Sequence, residues 1–307
     1  RDANVWPWRF GAVLDHQTDL PRNSSDASQR GLIMEQPLSI AASQWTNWRT
    51  YKNCDPTWFY SALGLSVLAI ICLLAGSIDD RLYNGVSVWS KPFKFALSLA
   101  VYIATLMFFI RYLPTQYLRA GAGLWVANSI TATMMLEMAY IAIQASLGEA
   151  SHFNITTPFH SMMYSMMGIG AAWLVIAPLW LAWIIWRNNK KRDVMAFSIV
   201  IGLALTFGLG GGFGGYLGNQ TSQWVSAAAT DADGLWLFNW ATNGGDLRVA
   251  HFFGMHAMQV VPLFALLLPQ RLRAHTAYAL VIGFSAAYAT FSVHTFVQAI
   301  QGQPFIS

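Results

Sequence analysis

The sequence predicts an all-α integral membrane protein: a bundle of seven transmembrane helices, N-terminus inside and C-terminus outside, preceded by an interfacial amphipathic helix. Two observations predict the class. Of 307 residues, 55% are hydrophobic and only 10% are charged, against about 25% charged in an ordinary soluble domain. The apolar residues also gather into runs long enough to cross a ~30 Å hydrocarbon core, which takes about 20 helical residues. A third observation, the uneven distribution of Lys and Arg among the connections, sets the direction of the bundle.

Residues 1–36 are polar and irregular, with Pro7, Pro21 and the run Asn23-Ser24-Ser25-Asp26, the composition of a disordered tail. Met34 near its end is a candidate biological start, and no charged, apolar and cleavage regions in series mark a cleaved signal peptide. The next segment, 37–56, places Leu38, Ala41, Trp45 and Trp48 on one helix face, with Arg49 and Lys52 at its C-terminal end. Trp on the apolar side and basic stems that can snorkel suit the headgroup region. A soluble helix that packs on a loop is the alternative.

The transmembrane domain, 57–307, contains seven apolar runs, at 57–78, 89–112, 120–147, 159–186, 194–217, 249–268 and 276–299. The connection Arg187-Asn188-Asn189-Lys190-Lys191-Arg192 is strongly basic, Arg271 and Arg273 follow the sixth run, and Arg111 and Arg119 flank the link from the second run to the third. Loops 148–158 and 218–247 carry no Lys or Arg, nor does the C-terminal stretch from Gln301. All of this agrees with one orientation. Arg81, Lys91, Lys94 and Arg248 fall on the wrong side and call for an explanation of their own.

The long loop 218–247, rich in Trp, is expected to form a lid or a short interfacial helix. Before it, Gly208 to Gly218 matches GxGxxG formally at Gly210–Gly215. No strand precedes it, so a dinucleotide fold is rejected. Close helix packing through small residues and an unwound helix end lining a cavity both remain open. The formal charge of +4 comes from loops and forms no basic stripe, so no nucleic-acid partner is expected. Cys54 and Cys72 give no disulfide framework, and Cys72 in its apolar run reads as a small buried hydrophobe.

The predicted orientation gathers polar groups in the outer leaflet. Glu137 and Gln144 lie in the outer half of the third run, His152 in the loop after it, His160 at the start of the fourth and His294 near the end of the seventh. Lys91 and Lys94 open the second run, and Asp246, Arg248, His251, His256 and Gln259 open the sixth. Ionisable groups in a membrane helix are costly and mark a functional site by default. Lys91 and Lys94 are expected to pair with Glu137 or to bind an anionic headgroup or substrate, together with Gln144, Asp246, Arg248 and Gln259. The bland readings are a helix cap for Asp246, snorkelling for the lysines and packing for the histidines. His251 and His256 are five residues apart, about 140° around a helix, and so point to different neighbours.

The motifs KPFKF (91–95), ASLGEASHFN (145–154) and GDLRVAHFFGMHAMQ (245–259) resemble a pattern in uncharacterised bacterial polytopic membrane proteins, over most of residues 85 to 270. The resemblance implies a bacterial inner-membrane location and no particular chemistry. From the residues themselves, a membrane redox protein is expected, with His152, His160, His251, His256 and His294 as candidate ligands of haem b. Glu137 would join them around iron, and Met162, Met163, Met166, Met167, Met255 and Met258 offer thioethers for copper, against the blander reading of core filler. The expected partners are the bilayer and an electron-transfer protein or small molecule at the outer face. A proton-coupled or small-molecule carrier using Glu137, and a non-catalytic subunit or assembly factor, are the alternatives. No GxSxG, HExxH or supported DxD motif points to a hydrolase.

Overall fold

The computed structural model describes residues 55–114, 117, 121–189, 193–269 and 271–306. The polar tail and the predicted amphipathic helix lie outside the described residues. Seven helical segments there are long and apolar enough to cross a bilayer: the chain is an integral membrane protein.

Helix α1 (Pro56–Gly76) starts where Asp55 accepts a hydrogen bond from the Trp58 amide at 3.0 Å, with Pro56 in the first turn, where its missing N–H costs nothing. A short hairpin follows, β1 (Leu82–Tyr83) with β2 (Val86–Ser87), turning at Asn84 (φ 51°) and Gly85 (φ 82°), the pair of left-handed residues that a tight hairpin requires. Helix α2 (Ser90–Phe109) continues through a 3₁₀ turn to Tyr112, and α3 spans Gly121–Leu147. The fourth span is α4 (Pro158–Ile176) and α5 (Pro178–Asn188), joined at Ala177, where Pro178 has no N–H to continue the ladder. The fifth is α6 (Val194–Leu205), a π segment (Thr206–Gly211) and α7 (Gly212–Gly218). Strands β3 (Trp224–Val225) and β4 (Gly245–Asp246) pair across the long loop. Helices α8 (Leu247–Leu267) and α9 (Ala274–Ile300) complete the bundle.

The apolar core includes Ile103 and Leu106 on α2, Ile130 and Met134 on α3, Ile184 and Ile185 on α5 and Ile199 on α6. Equally apolar residues (Ile70 and Leu73 on α1, Leu136 on α3, Ile169 on α4) face outward, as expected of helices that are hydrophobic all round and meet lipid.

The Gly-rich stretch stays helical and packs tightly, which decides between its two readings. Gly210 meets Gly254 and Met255 of α8 so closely that a Cβ on Gly254 would fall 2.6 Å from the Gly210 nitrogen. The Thr206 hydroxyl accepts from the Met258 amide at 2.9 Å, tying the π segment to α8. Gly254→Ala is therefore expected to force the two backbones apart at a cost of about 1–3 kcal/mol. Thermal unfolding in detergent checks this: an unchanged midpoint would show that the contact is looser than described.

After α9 the chain folds back. Gly302 takes φ 72°, Gln298 donates to the Pro304 carbonyl at 2.6 Å, and Phe305 packs on Trp240, Phe253 and Phe291. This C-terminal end of the bundle also holds the hairpin, the 148–157 loop and the long loop.

Candidate functional site

Residue by residue, the centre of that end is built around Arg248 in the first turn of α8. Its guanidinium donates to Asp246 at 2.9 and 2.6 Å, to Asp231 at 2.7 Å and to the Asn239 carbonyl at 2.7 Å. Asp246 also caps α8, accepting from the Arg248 amide at 3.0 Å, and takes the Ala241 amide at 3.0 Å. Lys94 on α2 reaches the same loop, donating to Asn239 Oδ1 at 2.6 Å and to the Phe238 carbonyl at 3.1 Å. The loop is thus held down by cations from two helices, while Trp240 stacks on Phe238 and packs against Phe252. It is a folded cap without a helix.

Lys91, one turn before Lys94, lies within electrostatic reach of Arg248, Asp231 and Lys94. Among the described residues its ammonium has no hydrogen bond or ion pair; the nearest aromatic face is Phe95, 5.8 Å away. Three cations against two carboxylates leave this cluster one positive charge in excess.

Two imidazoles adjoin it. His152 sits between Phe95 (5.5 Å) and Tyr164 (6.2 Å), with Nδ1 3.1 Å from Ser151 Oγ. Burial pushes His152 well below its usual pKa, and Lys91 and His251 add to the shift. His251 donates Nδ1–H to the Gly210 carbonyl at 3.0 Å, its ring against Gly214, where any side chain would collide with it. That bond fixes the tautomer and leaves Nε2 as the free nitrogen. His256 turns elsewhere, its ring tilted against Phe252 at 4.2 Å and beside Gln259. Gln259 in turn donates to Thr105 of α2 at 3.3 Å.

The shift on His152 makes stability depend on pH. The unfolded chain protonates this imidazole near its ordinary value of 6.5, whereas the folded chain does not. Stability contributed by the neutral ring is present above that value and falls as pH drops below it. We expect the unfolding midpoint to decline between about pH 7 and pH 5 and the decline to be shallower in His152→Phe. Equal slopes in the two proteins would sink this assignment.

The other residues singled out from the sequence lie apart. Glu137 on α3 is buried against Gly170 of α4 and does not meet Lys91 or Lys94; the expected pairing is replaced by the loop contacts of Lys94. Gln144 reaches the Ala150 carbonyl and Glu149. His160 bonds Thr157 Oγ1 at 2.9 Å and Glu149 at 3.2 Å, and His294 is exposed on α9. Met162 and Met166 face outward, while Met167 and Met258 are core residues. Among the described residues no three of His, Cys, Asp and Glu come together as a metal-holding group.

Three of the four basic residues on the wrong side of the charge asymmetry have local partners. Arg81 pairs with Asp79 at 2.6 Å and donates to the Ser146 carbonyl at 3.0 Å, and its hydrogen bonds, with one from Trp89, hold Asp79 well below the usual carboxylate range. Arg248 and Lys94 are tied as described. Lys91 is the fourth. Asp231 and Asn239 were not legible as site residues; the one available hint was an acid in a loop without Lys or Arg. No protein-family model, curated protein or solved structure matches the chain.

Proposed function

We propose that this membrane protein binds an anionic group, from a small molecule or a lipid headgroup, at the Lys91–His152–His251 site on the outer face of the bacterial inner membrane. The observation that carries the reading is the unpaired ammonium of Lys91 beside an Arg248 and a Lys94 already committed to the loop. A fixed cation in a partly desolvated site attracts an anion far more strongly than one in water. His152, within electrostatic reach of Lys91 and of His251, would exchange protons with such a ligand.

The test is calorimetric titration of the detergent-purified full chain with inorganic phosphate, acetate and a short-chain phosphatidic acid. Saturable binding of phosphatidic acid alone identifies a headgroup site; binding of phosphate or acetate identifies a soluble anion. Binding of none of them overturns the reading.

One observation keeps a redox or metal function as the second reading. His251 donates Nδ1–H to a backbone carbonyl and presents Nε2, as metal-bound histidines do, and His152 lies within its electrostatic reach. His251 and His152 would be the residues to hold a haem iron, which would supply electron-transfer chemistry. An absorption spectrum, oxidised and reduced, with elemental analysis on the same sample decides. A Soret band lost in His251→Ala would put haem first, and a colourless, metal-free protein would remove it. A protein with neither ligand would be left with the assembly role.

A further inference from the structure

Away from the Lys91 site, α3 carries a second set of polar groups. Ser129, Thr133, Glu137, Tyr140 and Gln144 fall within an arc of about 80° at 100° per residue. Glu137 is 8% exposed and its Oε1 has no hydrogen-bond partner; the Tyr140 hydroxyl, also buried, has none either. Glu137 lies ten residues before the end of α3, about 15 Å below it and near the middle of a ~30 Å core. Room for the carboxyl exists because its neighbour on α4 is Gly170, where a Cβ would collide with Oε1.

An ionised carboxylate at that depth with no counter-ion is costly. A metal cation would need several oxygen ligands, and among the described residues Glu137 belongs to no group of three His, Cys, Asp or Glu side chains. A proton needs one oxygen. We propose that Glu137 is a proton-binding site in exchange with the aqueous phase at the C-terminal end of the bundle, the outer side by charge asymmetry.

The route follows from the groups in line. At the mouth, Glu149 contacts His160 Nε2 at 3.2 Å and is itself exposed. Gln144 holds Glu149 and the Ala150 carbonyl, and the Tyr140 hydroxyl lies within electrostatic reach of Glu149. Tyr140 passes its hydroxyl proton inward and recovers one from the mouth, so one aqueous proton neutralises one carboxylate. Toward the other end the line is closed. Ser129 donates to the Val126 carbonyl at 2.9 Å and accepts from the Trp173 indole at 3.0 Å, which commits its one proton. Access is one-sided.

The site shares no residue with the Lys91 site, so the two fail independently. The test uses the full chain in lipid nanodiscs and infrared difference spectra taken after a pH jump, in H₂O and D₂O. A carboxylic-acid carbonyl band that shifts in D₂O is expected, absent in Glu137→Gln and displaced in Glu137→Asp. Tyr140→Phe should keep the band and slow its deuterium exchange by an order of magnitude, with Ser129→Ala leaving the exchange rate unchanged. A band that survives Glu137→Gln, or no exchangeable band in folded wild-type protein, overturns the site. Exchange untouched by Tyr140→Phe overturns the route.

Discussion

Arg248→Met is expected to destabilise the protein by about 3–5 kcal/mol, the cost of removing one partner from a buried ion-pair network. The guanidinium is the shared donor for two carboxylates, and its loss leaves Asp246, whose side chain is fully buried, and Asp231, 11% exposed, without their direct ion-pair partner. Asp246 cannot simply turn to water, because it also caps α8 and holds the Ala241 amide. The damage therefore spreads to the start of the helix and to the base of the loop. Arg248→Lys should fall between wild type and Met, since an ammonium keeps the charge but cannot fork to Asp246, Asp231 and the Asn239 carbonyl together. Asp231→Asn removes a charge that still has a second carboxylate beside the arginine, and should cost less than Arg248→Met. The check is chemical or thermal unfolding of the full chain in one detergent. A methionine variant as stable as wild type would mean that the network is held open to water.

The spans were legible because lipid imposes so few solutions: each backbone group must bond within its helix, so a run of about 20 apolar residues is a span. Ends were read less well where side chains decide them. The sixth run was read from residue 249, but the helix begins at Leu247 because Asp246 caps it. The site was legible to the extent that charge placement carries information. Lys91, Lys94 and Arg248 stood out as violations of the charge asymmetry, and all three meet at one centre. Their partners were not legible, because Asp231 and Asn239 come from a loop with no periodicity, 17 and 9 residues before Arg248. Depth explains the missed Glu137 pairing. The lysines sit in the first turn and a half of α2, whereas Glu137 lies about 15 Å inside the end of α3. His294 lies near the end of α9 as its position in the seventh run implies, but periodicity in a largely apolar helix does not show that its side chain is exposed.

Lys91 and Lys94 lie one turn apart on α2 and carry the same charge, yet their replacement should have opposite consequences. Lys94 is spent on the fold, with a charge-assisted bond to Asn239 Oδ1 at 2.6 Å and a second bond to the Phe238 carbonyl. Lys94→Gln should lower stability and loosen the loop, detected as faster hydrogen exchange across residues 226–244. Lys91 has no such bond. Lys91→Gln should leave the unfolding midpoint at or above the wild-type value, because it also relieves repulsion from Arg248 and Lys94. A hydrogen bond to a charged group is worth about 1.5–3 kcal/mol, so whichever anion the wild-type protein binds in titration should bind Lys91→Gln roughly 10- to 100-fold more weakly. The contrast excludes a general charge effect: if long-range potential alone drew the anion, the two substitutions would weaken binding equally. Equal losses in both variants would dissolve the site into a diffuse basic surface. Loss confined to Lys91→Gln, in a protein that unfolds like wild type, would establish its ammonium as the group that meets the ligand.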